Sequence, residues 1–396
     1  MKSIKWNHLA QAPLLVLGIL AVAAPRAEVI EPGADRLEIK SEDGANRLRL
    51  LGRFFYDVGD FDEDVTPLDA NNQFESARLG LSGTVARDFK FLLQYEFANA
   101  LRGDEPQAEL KDAWIQYSGL KSWDFRIGQF QEPFSLEELT SSRYITFMER
   151  ALPNAFVPGY HLGASVHYRG KNWQATGGYF DQSIGPGDDD EGSGYAARVT
   201  AAPIHGKNRL VHVGASAAYR SPDDETVRFR ARPETGLTDV RLVSTGTLGQ
   251  VDHYTTEGIE AAWVHGPFSL QAEYVLNQVE RLSSSNRDDV DFQGGYVYAS
   301  WFLTGESRRY SEQRGVFTRI KPQNNYGAVE LALRYSMLDL NDASVEGGDE
   351  QNWTLGANWY INQSLRLMAN AIWVNSEREG EEDDPSILQA RLQYDF

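Results

Sequence analysis

Three guanidiniums recur at alternate positions in Val227-Arg228-Phe229-Arg230-Ala231-Arg232, with Arg220 and Arg241 flanking them. In an extended segment this spacing puts Arg228, Arg230 and Arg232 on one face. Such a row is costly unless anions visit it, and the guanidinium fork suits phosphate oxygens. An outer loop that merely neutralises Asp223 to Glu225 is the plainer alternative, and both readings stay open. A second group lies between Glu132 and Arg150, a segment too apolar for a disordered loop. There Thr140, Ser141, Ser142, Arg143 and Arg150 would offer hydroxyls and guanidiniums to an anion shedding its water. The third group is Arg308, Arg309, Arg314, Arg319 and Lys321, which reads equally as an anion-collecting vestibule or as a solvated turn. For a hydrolase constellation of His with Ser, Asn or Asp near the outer rim, the candidates are His161, His167 and Ser165, and His161 beside Pro158 and Gly159 is more simply a packing residue. There is no nucleophile elbow, phosphate loop or zinc spacing. The residues therefore point to a path for anions, with no catalytic group, metal or cofactor.

The elements that must position these side chains show a period of two. Leu48, Leu50, Gly52, Phe54, Tyr56 and Val58 alternate with Arg47, Arg49, Arg53 and Asp57. The pattern returns in Ala77–Val85, in Phe89–Phe97 and in Trp353–Trp359. Segments of about ten residues with aromatics at their ends fit strands that face lipid with one side and water with the other. Short turns, such as Ala86 to Asp88 and Gly170 to Asn172, alternate with long polar loops near residues 59–73, 99–109, 131–160, 181–192, 220–254, 281–290, 339–350 and 377–385. The expected fold is all-β: a transmembrane antiparallel barrel of about 16 strands, its third loop folded inward to narrow the lumen. Residues 304–325 break the rule as a long segment on the short-turn side. Inward positions would carry Arg49, Arg53, Arg78, Lys90, Arg126, Arg169, Arg198, Arg334, Arg366 and Arg391 against Asp57, Glu96, Asp112, Glu260, Glu273, Glu330 and Asp395.

The bulk properties agree. Lys2 and Lys5 precede a short apolar run from Pro13 to Ala24, then small residues at Ala21, Ala23, Ala24 and Ala27, the pattern of a secretory signal peptide cut after Ala23 or Ala27. Residues 1–27 are thus expected to be a leader, 28–46 an N-terminal periplasmic segment and 47–396 the barrel. The chain has no cysteine, so burial and hydrogen bonding must hold it together. A net charge of −19 excludes a general nucleic-acid binder. The acids form runs between strands (Asp60 to Asp64, Asp188 to Glu191, Asp223 to Glu225, Glu377 to Asp384) that belong to loops. In the last segment Leu388, Ala390, Leu392, Tyr394 and Phe396 alternate with Gln389, Arg391, Gln393 and Asp395, and the sequence stops on the aromatic ring. This strand must pair with the first, because the bilayer leaves no water for an open edge. Tyr394 and Phe396 resemble the signal read by outer-membrane assembly machinery.

Specific stretches resemble the phosphate-selective porin O and P family: Ala77–Gly83, Lys111–Tyr117, Gly128–Ser135, Thr140–Arg143 with Phe147–Asn154, Arg230–Glu234, Leu303–Glu306 and Asn358–Tyr360. The resemblance covers nearly the whole chain after the leader. It implies a trimer of 16-stranded barrels in outer-membrane lipid and lipopolysaccharide, with an inward third loop, an arginine ladder and a basic inner vestibule for phosphate-like anions. Ser141, Ser142, Arg150 and Asp112 carry over. Where the family places an arginine pair and a lysine, this chain has Glu75, Ser76 and Glu138. That substitution favours, as the alternative, a general or cation-tolerant pore of the same fold.

Overall fold

The computed structural model describes residues 27–28, 37–68, 72–102, 108–184 and 192–396. The expected leader, apart from Ala27, and the Asp188 to Glu191 run lie outside these residues. Sixteen long strands follow in chain order: β1 Arg47–Asp62, β2 Gln73–Val85, β3 Phe89–Glu96, β4 Glu109–Leu120, β5 Trp123–Gln131, β6 Tyr160–Arg169, β7 Trp173–Phe180 and β8 Ser193–Gly206. The second half comprises β9 Arg209–Ser221, β10 Val251–His265, β11 Phe268–Arg281, β12 Val290–Phe302, β13 Ala328–Asp342, β14 Val345–Tyr360, β15 Leu365–Arg378 and β16 Ser386–Asp395. Each pairs antiparallel with its neighbours in sequence, and β16 returns to β1 from Ser386 opposite Asp62 to Asp395 opposite Arg53. The sheet closes, so every strand has a partner on both sides within the wall.

Alternation along the strands separates two solvents, and the polarity is inside out. On β14, Trp353 is 49% exposed whereas Thr354 is fully buried. Leu355 and Trp359 face outward with Trp353, and Asn352 and Asn358 face inward. A water-soluble sandwich would bury the Trp face. Only hydrocarbon outside makes the observed arrangement stable.

The seam depends on one glycine. Gly52 and Phe396 exchange backbone hydrogen bonds of 3.2 and 3.0 Å, and the Phe396 ring lies where a Cβ of residue 52 would be. Gly52→Ala should push the ring off its seat, costing about 1 kcal/mol through overpacking. The check is the temperature at which the folded barrel loses its compact electrophoretic migration, which should fall; an unchanged transition would show that the ring is not packed there. Beyond Phe396 the edge of β1 is continued by Leu37–Lys40, which pair with Leu50–Arg47.

One expected loop is not a loop. Residues 339–350 are the ends of β13 and β14, joined by Ala343 and Ser344 alone. Their acidic side chains read as a loop because this hairpin projects beyond the apolar belt. The segment on the short-turn side does exist, as residues 303–327. Inside it Arg309–Ser311 pairs with Val316–Thr318, and this hairpin turns up into the barrel. At its tip Gly315 has φ +62° and leaves no room for a Cβ between Gln174, Thr200 and Arg198 of the wall.

Candidate ion path

Three insertions fill one side of the barrel: the third long loop (132–159), the fifth (222–250) and the 303–327 hairpin. The third loop is fastened by its backbone. Arg334 of β13 donates to the Glu149 carbonyl (3.0 Å), Arg366 of β15 to those of Ile145 and Thr146 (2.9 and 3.0 Å), and Arg391 of β16 to that of Met148 (2.6 Å). Asn358 and Gln393 add bonds to Thr146 and Arg143. At the start of the loop, Glu273 of β11 accepts from the backbone N–H groups of Leu136 and Glu137. Extended loop carbonyls have no ladder to join, and a buried one left unpaired is costly. Much of the inward charge on β11 to β16 thus serves to hold the loop.

The fifth loop lies over it with a mixed face. Phe229 and Ala231 enter an apolar cluster with Phe156, Val243 and Phe292, while Arg228 and Arg230 are exposed on the other side. The hairpin reaches the third loop from the opposite rim, where Val316 and Phe317 pack with Leu136.

What remains open is a cavity of about 730 Å³. Its strand residues all come from β1 to β8; its other lining comes from the third loop and the hairpin tip. Ten basic side chains line it against three carboxylates, Asp112, Asp124 and Glu138. Several are already paired: Arg198 with Glu260, Arg169 with Asp124, Arg78 with Glu96 (3.2 Å) and Arg150 with Glu138 (2.8 Å). Lys90, Arg126 and Arg314 have no carboxylate within ion-pair distance among the described residues. Arg126 instead stacks on Trp114 and donates two hydrogen bonds to the side-chain oxygen of Gln116.

A second chamber of about 240 Å³ adjoins it, sharing Arg53, Arg78, Lys111, Ser142 and Arg150, which therefore mark the narrow zone. Arg53 donates to Ser142 (2.5 Å) and to Ser76 (2.8 Å), tying wall to loop. Two β-bulges shape this zone. One lets both Glu75 and Ser76 line the chamber, and the other brings Lys111 and Asp112 inward together. Carboxylate oxygens of Asp57, Glu75 and Glu149 lie within 4.8 Å of one another, as a metal site would require. Arg391 pairs with Asp57 and Glu149 and Arg102 with Glu75, so guanidiniums meet these charges.

The residues singled out in the sequence divide accordingly. Arg78, Asp112, Ser141, Ser142, Arg143 and Arg150 line the cavity. Thr140 does not: the short helix Leu136–Leu139 turns its side chain into the loop, where it is buried. Arg228, Arg230, Arg232 and Arg241 do gather. Burial and the charges of Arg232, Arg230 and Arg228 bring Arg241 down to about 10. Arg232 is met by Asp239. Arg220 leaves the row, buried in an ion pair with Glu132 that anchors the loop base. In the third group only Arg314 reaches the cavity. Arg308 is buried over the Phe317 ring, Arg319 pairs with Asp395, and Arg309 and Lys321 are exposed. Sequence reasoning missed Tyr160, whose hydroxyl accepts from Arg78 (3.2 Å), and Lys111. Strict alternation puts Lys111 outside.

A closed sixteen-stranded barrel with an apolar exterior and a polar lumen narrowed by its third loop is a porin, a channel protein of the outer membrane. The chain belongs to the phosphate-selective porin O and P family, whose model it matches over residues 48–396. It is similar to Porin O of Pseudomonas aeruginosa, with 27% identity over 95% of this chain and 94% of that protein. An uncharacterized protein of Caulobacter vibrioides is 31% identical over 89% of this chain and 75% of its own length. Among solved structures, the anion-selective porin from Comamonas acidovorans superposes with a TM-score of 0.55 at 14% identity, covering 89% of this chain and 100% of that one. OmpT of Vibrio cholerae gives 0.55 at 12% identity, covering 90% and 99%.

Proposed function

We propose that this porin passes small anions, phosphate or short polyphosphate, by passive diffusion. The reading rests on the open path, where ten cations face three carboxylates and Lys90, Arg126 and Arg314 keep their charge uncompensated. The name of the family and of Porin O point to the same solutes. The arginine row on the fifth loop would gather anions at the mouth, Ser141, Ser142, Arg143 and Arg78 would replace their water in the narrow zone, and Arg314 would receive them below. A homotrimer embedded in outer-membrane lipid and lipopolysaccharide of a Gram-negative cell is the assembly we favour, in keeping with the trimer form described for OmpT of Vibrio cholerae. Export would use residues 1–27 as a leader, and insertion would use the Tyr394 and Phe396 strand as the signal for the assembly machinery.

The second reading, a general or cation-tolerant pore, draws on Glu75, Glu138 and Glu149 at the narrow zone. Reversal potentials in a KCl gradient across planar bilayers, followed by phosphate titration of the chloride current, separate the two. Anion selectivity with saturable phosphate block is expected; cation selectivity without block would leave the barrel standing and remove the anion reading. The row makes a further prediction. Arg230→Ala should weaken phosphate block at low ionic strength far more than at high, since exposed cations act over the ~10 Å Debye length of 0.1 M salt. Equal weakening at both salts would mean that Arg230 touches the bound anion rather than steering it.

A further inference from the structure

We propose, building on the anion reading above, that Glu138 sorts oxyanions by their protons: it admits those carrying an O–H, such as hydrogen phosphate, and disfavours those without one, such as sulfate. Glu138 is the carboxylate that the third loop itself places on the main cavity. It is held rigidly. Its backbone N–H donates to Ser135 (3.1 Å), its carbonyl accepts from Arg150 (3.0 Å), and its side chain is 9% exposed. One carboxylate oxygen accepts from Gln131 (2.5 Å) and the other lies 2.8 Å from Arg150 Nε.

Two consequences follow from this geometry. First, Arg150 is neutralised at its source, so its part of the lining offers an anion no net charge. The attraction comes from the wall, where Arg53 and Arg78 share the single carboxylate of Glu96 and so keep a net positive charge. Second, each Glu138 oxygen has used one lone pair and keeps another for a donor. An ionised carboxylate only accepts, so an anion lying between the wall cations and Glu138 must either give it a hydrogen bond or face it with bare oxygen. Hydrogen phosphate can turn its P–O–H toward Glu138 and its remaining oxygens toward the cations. Sulfate cannot, and it meets like charge at close range. A site that demands a donor rejects the analogue lacking one far more strongly than added attraction alone could discriminate.

The test uses the full-length porin in planar bilayers, with chloride current blocked by inorganic phosphate or by sulfate at mildly acidic pH, where phosphate keeps protons and sulfate has none. Wild type should be blocked at about ten-fold lower phosphate than sulfate, and Glu138→Gln should tighten sulfate block about ten-fold while changing phosphate block less than three-fold. Glutamine is isosteric, its one side-chain oxygen can still accept from Arg150, and the backbone bonds of residue 138 to Ser135 and Arg150 remain, so the loop should hold; Glu138→Asp, with its carboxylate drawn back, should relax the discrimination in the same direction. If Glu138 were only a brace, block by both anions would shift together with conductance, and an unchanged phosphate-to-sulfate ratio in both variants would overturn the proposal. Absence of block by either anion in the wild type would be the distinct failure of the anion reading itself.

Discussion

Arg391→Ala should raise single-channel conductance about two-fold and weaken anion selectivity, because one guanidinium fastens the constriction to the wall. Arg391 meets both oxygens of Asp57 at 2.7 and 2.6 Å, the Met148 carbonyl at 2.6 Å and Glu149 at 2.6 Å. Alanine would leave Asp57, which is fully buried, facing Glu149 and Glu75 with only Arg102, on Glu75, to offset the three carboxylates. Removing one partner from a buried ionic network costs about 3–5 kcal/mol. The barrel ladder is too extensive to yield, so the cost falls on the third loop, which loses its attachment to β16 at Met148 and Glu149 while Gln393, Arg334 and Arg366 keep theirs. A loop free at that point would swing from the wall, widen the narrow zone and expose three carboxylates to passing ions. Arg391→Lys should rescue little, since one ammonium cannot reproduce the planar fork toward Asp57 while also reaching the loop. Conductance and reversal potential in bilayers decide the matter. Wild-type values for both in Arg391→Ala would show that the loop is held without this residue.

The barrel was legible in the sequence, whereas the assignment of its charges was not. Alternation is a local property, so the outward faces of β1, β14 and β16 follow from the order of residues. Partners are a different kind of information. Arg391 and Asp57 belong to strands at opposite ends of the chain and meet only because the sheet closes. Nothing local distinguishes Arg391, which holds a loop, from Arg126, which faces open water. Arg220 was read with the exposed row because it lies near it in sequence, yet it belongs to β9 and closes on Glu132. Lys111 was hidden by a bulge: one extra residue opposite Gln94 and Tyr95 reverses the face that alternation assigns. The reach of the 303–327 hairpin was equally silent, since its length showed in the sequence but its contacts with Leu136 depend on two insertions entering from opposite rims.

The strongest effect on ion choice is expected from Lys90→Glu combined with Arg126→Glu. These side chains occupy neighbouring strands on either side of Gln116, which stands opposite both in the β3–β4 and β4–β5 registers. Both line the open cavity, and neither has a carboxylate partner among the described residues. Their charge is therefore available to mobile ions, unlike that of Arg198 or Arg391, which is spent on the wall's own acids. Reversing two charges changes the local field by four units. A unit charge at 4 Å in water is worth about 1 kcal/mol, and salt screening leaves a change of about 1 kcal/mol for each ion passing along this wall, opposite in sign for chloride and potassium, so the difference between them shifts by about 2 kcal/mol. That corresponds to roughly a thirty-fold change in the chloride-to-potassium permeability ratio, enough to turn an anion-selective pore cation-selective. The folded barrel should survive, because both positions face water rather than a buried partner, and unchanged electrophoretic heat stability would confirm it. The same double reversal at Arg198 and Arg169 should shift selectivity much less and destabilise the wall, since it would set like charges against Glu260 and Asp124. Equal shifts in reversal potential from the two double variants would mean that paired and unpaired cations act alike on the permeating ion, and the division of the lumen into a fastening side and a conducting side would fail.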